Sequence, residues 1–131
     1  MKKTLSFTCL AILILCSKAY SQSNLTWTFK DKGEKGFFKT NTAFNSNFSG
    51  FTTIDESSKF IAKIKSNPEV ASVTVLSTDT KGNCDVIVNM KQPHEKMYYV
   101  ALAQKLEVAY IQYDNKKKTP AEIIQASRNK K

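Results

Sequence analysis

Few side chains in this sequence are of types that could catalyse a reaction. It contains one histidine, His94, and the neighbouring serines Ser57 and Ser58 have no base or acid at a recognisable catalytic spacing. No glycine-rich phosphate-binding loop occurs. We therefore expect no enzymatic activity, and we interpret Ser57 and Ser58 as solvated or helix-capping residues.

Cys84 and Glu56 are the residues that could bind a metal ion. The other two cysteines lie within residues 1–21, so Cys84 would be the one thiol left if that segment were removed. Thiolate and carboxylate both bind zinc, and thiolate also suits copper(I). Two ligands make a weak copper or zinc site unless a partner protein or a second copy completes it. Cys84 could also be an ordinary strand residue, or it could link a homodimer through its thiol.

Residues 1–21 are typical of a secretory signal peptide. A basic N-terminus precedes the apolar run Leu5–Leu15, and small residues end the segment at Ser21. We expect Sec-dependent export with cleavage near Ser21, so that the protein is secreted or periplasmic. The apolar run is shorter than the roughly 20 residues of a membrane span, and we expect no span in the mature form.

Basic residues are concentrated near the C-terminus. The formal charge is +9, and removing the three lysines within residues 1–21 leaves +6, of which residues 114–131 carry +4. The possible anion-binding residues of this tail are Lys116, Lys117, Lys118, Arg128, Lys130 and Lys131. They favour, as one alternative, adhesion to anionic envelope polymers. Nucleic-acid binding is not expected, because aromatic and basic residues do not interleave in a platform.

The elements that would position these residues follow from the hydrophobic periodicity. In the N-terminal arm, residues 22–43, apolar side chains alternate with threonines from Leu25 to Phe29, which predicts a strand. A second extended stretch is expected from Phe37 to Phe48. So many aromatic residues favour an arm that packs on the domain, with an exposed partner-binding arm as the alternative.

Residues 44–113 show the pattern of one domain. Two capping-box spacings, Thr52 with Asp55 and Thr53 with Glu56, predict the start of a helix. The expected buried face of this helix consists of Ile54, Phe60, Ile61 and Ile64. The elements expected after it are the strands Val70–Ser77 and Cys84–Met90, a helix opening at Pro93, a strand Val108–Tyr113 and a short terminal helix capped by Thr119.

This order is βαββαβ, which predicts an α+β, ferredoxin-like sandwich with an antiparallel sheet and two helices on one face. Right-handed crossovers would bring the end of the first core strand and the start of the third to one pole of the domain. Cys84 and Glu56 would lie at that pole. His94 would lie at the opposite pole, where it could not become a third ligand.

The same stretch resembles the heavy-metal-associated (HMA) domain family of copper chaperones and metal-pumping ATPases. That family carries Gly-Met-x-Cys-x-x-Cys at the start of its first helix. Gly50 matches the motif glycine and Phe51 the methionine, and the apolar positions of the following helix, turn and strand match as Phe60, Ile64, Pro68, Val70, Val73 and Val75.

The two cysteine positions of the motif are occupied by Thr53 and Glu56, which cannot replace paired thiolates for copper(I) or zinc. The resemblance therefore implies a degenerate loop, Gly50, Phe51, Thr53 and Glu56, without the family's metal ligands. Phe51 would be buried beneath it. The expected function is that of an exported, non-catalytic HMA-like module that binds an unknown protein partner without a cofactor. Copper or zinc handling through Cys84 is the alternative.

Overall fold

The computed structural model describes residues 24–31 and 36–130. The expected signal peptide and Lys131 lie outside these residues. The strands are β1 (Thr26–Phe29), β2 (Ala43–Ser49), β3 (Val70–Thr78), β4 (Cys84–Met90), β5 (Tyr110–Tyr113) and β6 (Lys116–Lys118). The helices are α1 (Phe37–Thr40), α2 (Ile54–Lys65), α3 (Lys96–Lys105) and α4 (Pro120–Asn129).

The six strands form one mixed sheet in the order β3-β4-β2-β1-β5-β6. The α+β class is therefore confirmed, but the ferredoxin-like strand order is not. That order would pair β2 directly with β5, whereas β1 lies between them, antiparallel to β2 and parallel to β5. Within the N-terminal arm, Thr26–Phe29 form a strand of the sheet itself. Both neighbouring strands offer it backbone hydrogen bonds, and its apolar side chains complete the core.

The long helices cover one face of the sheet. Phe44 and Phe48 project from the same side of β2, and Phe44 contacts Tyr99 of α3 while Phe48 contacts Phe60 of α2. Asn45 and Asn47 face the other way and are more exposed, whereas the buried Ser46 shares the side of Phe44 and Phe48. The sheet therefore has one buried face and one polar face, as the expected sandwich requires.

Trp27 lies at the centre of the core rather than on an appended arm. Its side chain is 1 % exposed, and it stacks on Phe29 with ring centroids 4.7 Å apart. The indole Nε1 donates a hydrogen bond of 3.0 Å to the buried Ser46 hydroxyl, which satisfies the one polar atom of the ring. Removing β1 would therefore expose the aromatic core.

Four local predictions are wrong, those for Ile54, Ser57, Pro93 and Phe37–Thr40. Ile54 was expected to be buried but is 52 % exposed, because it is the first residue of α2 and extends beyond the core. Ser57 is instead the buried residue of that first turn. The second long helix begins at Lys96 and not at Pro93. Residues Phe37–Thr40 form a helical turn in place of an extended strand, which lets Phe38 turn into the core.

Candidate functional site

The segment from Gly50 to Glu56, which the sequence predicts to be a degenerate metal-binding loop, forms a helix cap. Gly50 follows the end of β2 with φ +103°, and Thr53 caps α2 by accepting a hydrogen bond of 3.2 Å from the Glu56 amide. Both Glu56 carboxylate oxygens are engaged by Thr52, one by its amide at 3.0 Å and the other by its hydroxyl at 2.8 Å. These bonds, led by that from the Thr52 backbone, lower the pKa of Glu56. The box that pairs Thr52 with Asp55 does not form, since Asp55 pairs with Lys59 at 3.1 Å.

The β3–β4 hairpin closes over this cap. The Asn83 side chain accepts a hydrogen bond of 3.0 Å from the Gly50 amide. Gly82 lies so close to the Thr53 carbonyl that a Cβ added at Gly82 would stand 2.5 Å from that oxygen. The pole at the start of α2 is therefore covered by backbone.

Cys84 and Glu56 do not form a common site. The Cys84 sulfur lies 3.7 Å from the Ser57 hydroxyl, the residue is 2 % exposed, and burial raises the pKa of its thiol. His94 is at the other end of β4, where its Nε2 lies 3.4 Å from a Glu69 carboxylate oxygen. Among the described residues no three His, Cys, Asp or Glu side chains are grouped to hold a metal ion.

The basic tail is folded, and it forms part of a second site. Asp114 and Asn115 have φ of +53° and +61°, the left-handed pair that a two-residue hairpin turn requires. This turn joins β5 to β6, and α4 follows with Thr119 as its cap, accepting a hydrogen bond of 3.1 Å from the Glu122 amide. The predicted cap of the terminal helix is thus confirmed, although the helix is longer than expected.

A cavity of about 280 Å³ lies between this hairpin, α3 and α4. We call it the tail cleft. Its wall combines aromatic and aliphatic side chains with charged ones, namely Phe29, Phe38, Tyr99, Val100, Ile111, Tyr113 and Ile123 with Lys96, Lys116, Lys118, Lys130 and Asp114. Four lysines against one carboxylate give the lining a formal charge of +3. The Lys96 ammonium lies 5.7 Å from the centre of the Tyr113 ring, within range of a cation–π contact.

Tyr99 lies in the wall of the tail cleft with an unsatisfied polar atom. The residue is 2 % exposed, and its hydroxyl has no hydrogen-bond partner among the described residues. Burial raises the pKa of Tyr99 to about 12, with a smaller contribution from Tyr98, and the neighbouring backbone of His94 opposes this shift. An unpaired buried hydroxyl is uncommon and costly.

The structure separates the tail residues that the sequence grouped together. Lys116, Lys118 and Lys130 line the tail cleft, whereas Lys117 projects from the opposite face of β6 and lies 4.7 Å from the centre of the Tyr110 ring. Arg128 is not part of the lining, and Lys131 lies outside the described residues.

Sequence analysis missed Lys96 and Tyr99 as members of the cleft. Tyr99 was expected only as a helix residue of the core. The Asp114-Asn115 dipeptide is the sequence signal that could have revealed the hairpin beside the cleft. Two residues that tolerate positive φ between β-type segments favour a hairpin.

No family model, curated protein or solved structure was found to match this chain. Within residues 24–31 and 36–130, none of the helices has the length and apolar character needed to cross a membrane. The tail cleft therefore has to be interpreted from its own chemistry.

Proposed function

We propose that this is an exported, non-catalytic binding protein whose ligand site is the tail cleft. The ligand is a small anion with an apolar or aromatic part. The four lysines in a wall that is otherwise largely aromatic and aliphatic are the observation that supports this proposal most strongly.

The charges of the cleft are available to a ligand. Lys96, Lys116, Lys118 and Lys130 form no ion pair within the described part of the chain. The aromatic side chains behind them supply an apolar surface, and a volume of about 280 Å³ is close to the lower end of roughly 300–1,000 Å³ for small-molecule sites. A ligand with one charged end and one apolar end uses both features.

An HMA-like origin of the central domain is part of the proposal. Gly50 follows a strand as the motif glycine should, and α2 and α3 lie on the same face of the sheet. In this account a hydrogen-bonded helix cap replaced the metal loop, and binding moved to the other end of the sheet. Adhesion to anionic polymers becomes the competing function of the same lysines.

Calorimetric titration with 2-naphthoate tests the proposal, with 2-naphthylmethanol as the neutral probe of the same shape. We expect the carboxylate to bind and the alcohol to bind markedly more weakly. The double variant Lys116→Ala/Lys118→Ala should weaken naphthoate binding by about two- to thirtyfold, since each exposed charge contributes about 0.2–1 kcal/mol. Lys117→Ala is the matched control on the same strand, and it should leave the affinity unchanged.

A heparin oligosaccharide distinguishes the cleft from polymer adhesion. If the basic tail acts as a general polyanion-binding surface, heparin binds, Lys117→Ala weakens it as much as either cleft lysine does, and naphthoate does not bind. That combination of results would refute the small-ligand site and favour adhesion.

A further inference from the structure

Asp114 is the one carboxylate that the described part of the chain contributes to the lining of the tail cleft. It forms no ion pair with any residue that the structure describes, so its charge is not neutralised within the protein. The hairpin turn does not require this charge, since Asn115 has a similar positive φ with a neutral side chain. A carboxylate beside a site for a simple anion would repel that ligand.

Three charged side chains lie around Tyr113. Lys116 is its partner across the hairpin, the Lys96 ammonium lies 5.7 Å from the centre of its ring, and Asp114 follows it directly in the chain. Burial and, to a smaller extent, the negative charge of Asp114 raise the pKa of Tyr113, so this carboxylate lies close enough to act on the phenol group. Charges of both signs therefore lie around one ring without pairing with each other.

An α-amino acid matches this arrangement, because its ammonium and carboxylate groups are bound to the same carbon atom. We propose that the ligand of the tail cleft is a free α-amino acid with an aromatic side chain. Its ammonium group pairs with Asp114 and its carboxylate with Lys96 and Lys116. Its ring lies against the apolar part of the wall, which includes Val100 and Ile111. This inference rests on the proposed function and names the class of its ligand.

The net charge of the cleft makes the inference specific to Asp114. The lining has a formal charge of +3, so an ammonium group anywhere else in the cleft would meet lysines of like charge. A ligand ammonium group should therefore strengthen binding while Asp114 is charged. It should weaken binding once that charge is removed.

Calorimetric titration with 3-(2-naphthyl)alanine and 3-(2-naphthyl)propanoate tests the inference, since the two ligands differ by the α-ammonium group alone. The wild type should bind the amino acid about two- to fivefold more tightly, the effect of one ion pair at an exposed site. Asp114→Asn should bind the propanoate more tightly than the wild type does, and it should prefer the propanoate to the amino acid. Asparagine tolerates positive φ, so the turn is kept.

Glu122→Gln is the matched control, because it removes a carboxylate of the same tail that does not line the cleft. It should leave the preference for the amino acid unchanged. 2-(2-Naphthyl)ethylamine, which has the ammonium group without the carboxylate, should bind more weakly than either acid.

Two results would overturn the inference and leave the proposed function in place. In the first, the propanoate binds and the amino acid binds no more tightly. In the second, Asp114→Asn keeps the preference for the amino acid, which would mean that the ammonium group is held elsewhere. If neither acid binds, or if the amine binds more tightly than both, the proposed function fails and the inference fails with it.

Discussion

At the level of single residues, Tyr99 has an unusual combination of contacts. Its ring contacts Trp27, Phe29, Phe38 and Phe44, so the residue is central to packing, yet its hydroxyl has no hydrogen-bond partner among the described residues. A phenylalanine would fill the same space without the polar atom. The buried hydroxyl therefore costs stability without a hydrogen bond to compensate it.

Tyr99→Phe should stabilise the free protein by about 1 kcal/mol, because an unsatisfied buried group is removed. The same change should leave naphthoate binding unchanged, because the hydroxyl is enclosed and does not face the cleft. Urea unfolding and calorimetry measure the two effects. Reduced stability would contradict the burial of an unpaired hydroxyl.

The raised pKa of Tyr99 gives a pH dependence of definite sign. Below pH 10, where tyrosine is neutral in both folded and unfolded chains, the stability is unaffected by this group. Between pH 10 and about 12 the unfolded state loses the proton first, so the wild type loses stability as the pH rises. Tyr99→Phe should lose less over this window, and absorbance titration should lack the phase with the highest pKa.

Gly82 tests whether the start of α2 is closed over by backbone packing. Gly82→Ala should cost roughly 1–2 kcal/mol for its positive φ and roughly 1–3 kcal/mol more for the clash with Thr53. Gly36 has a similar φ of +86° but nothing within 4 Å of an added Cβ, so Gly36→Ala should show the first cost alone. Equal losses in urea unfolding would mean that the hairpin can move away from the cap.

Cys84 should be unreactive in the native protein, because its sulfur is buried and its thiol pKa is raised. An aromatic disulfide reagent at pH 8 should react with it only on unfolding. Competitive titration with copper(I) and zinc should give the same weak affinity for wild type and Cys84→Ser. Rapid labelling, or metal binding that Cys84→Ser abolishes, would revive the metal-handling alternative.

At the level of elements, the β5–β6 hairpin controls the tail cleft, because Lys116 and Lys118 reach it only when the turn is formed. Asn115→Ala should cost roughly 1–2 kcal/mol, since alanine tolerates its φ of +61° poorly. Asn115→Gly should leave the stability the same or slightly higher. Naphthoate affinity should follow the same order, whereas a flexible tail would show no difference between the two variants.

Periodicity and caps predicted most elements, but they could not predict which distant strands pair. The alternation in β4 located its buried side correctly, with Val86 and Val88 each 1 % exposed. Lys116–Lys118 was interpreted as a solvated charge run, because lysines carry no strand signal of their own. These lysines form a strand because of the turn that precedes them and their pairing with β5.

At the level of the whole molecule, β1 joins two halves of the sheet. Its apolar residues Trp27 and Phe29, and Leu25 directly before it, are all buried. Each fully buried side chain of this kind stabilises a fold by roughly 1.5–3 kcal/mol, against a total of about 5–15 kcal/mol. We therefore expect folding to require this strand.

Trp27→Ala should destabilise the protein by roughly 3–5 kcal/mol, enough to unfold a large fraction of it. Thr28→Ala on the other face of the same strand should cost far less. Acrylamide should quench the emission of Trp27 poorly in the native state. Strong quenching, or a similar small loss in both variants, would instead indicate an exposed partner-binding arm.

The pairing of β1 with β5 has a kinetic consequence. Thr26 lies beside Tyr110, so one of the earliest segments of the domain to be synthesised finds its parallel neighbour only near the end of the chain. Contacts between such distant positions slow folding. If the chain is exported, as proposed, a polypeptide leaving a narrow translocation channel could therefore complete its sheet only after nearly all of it had emerged.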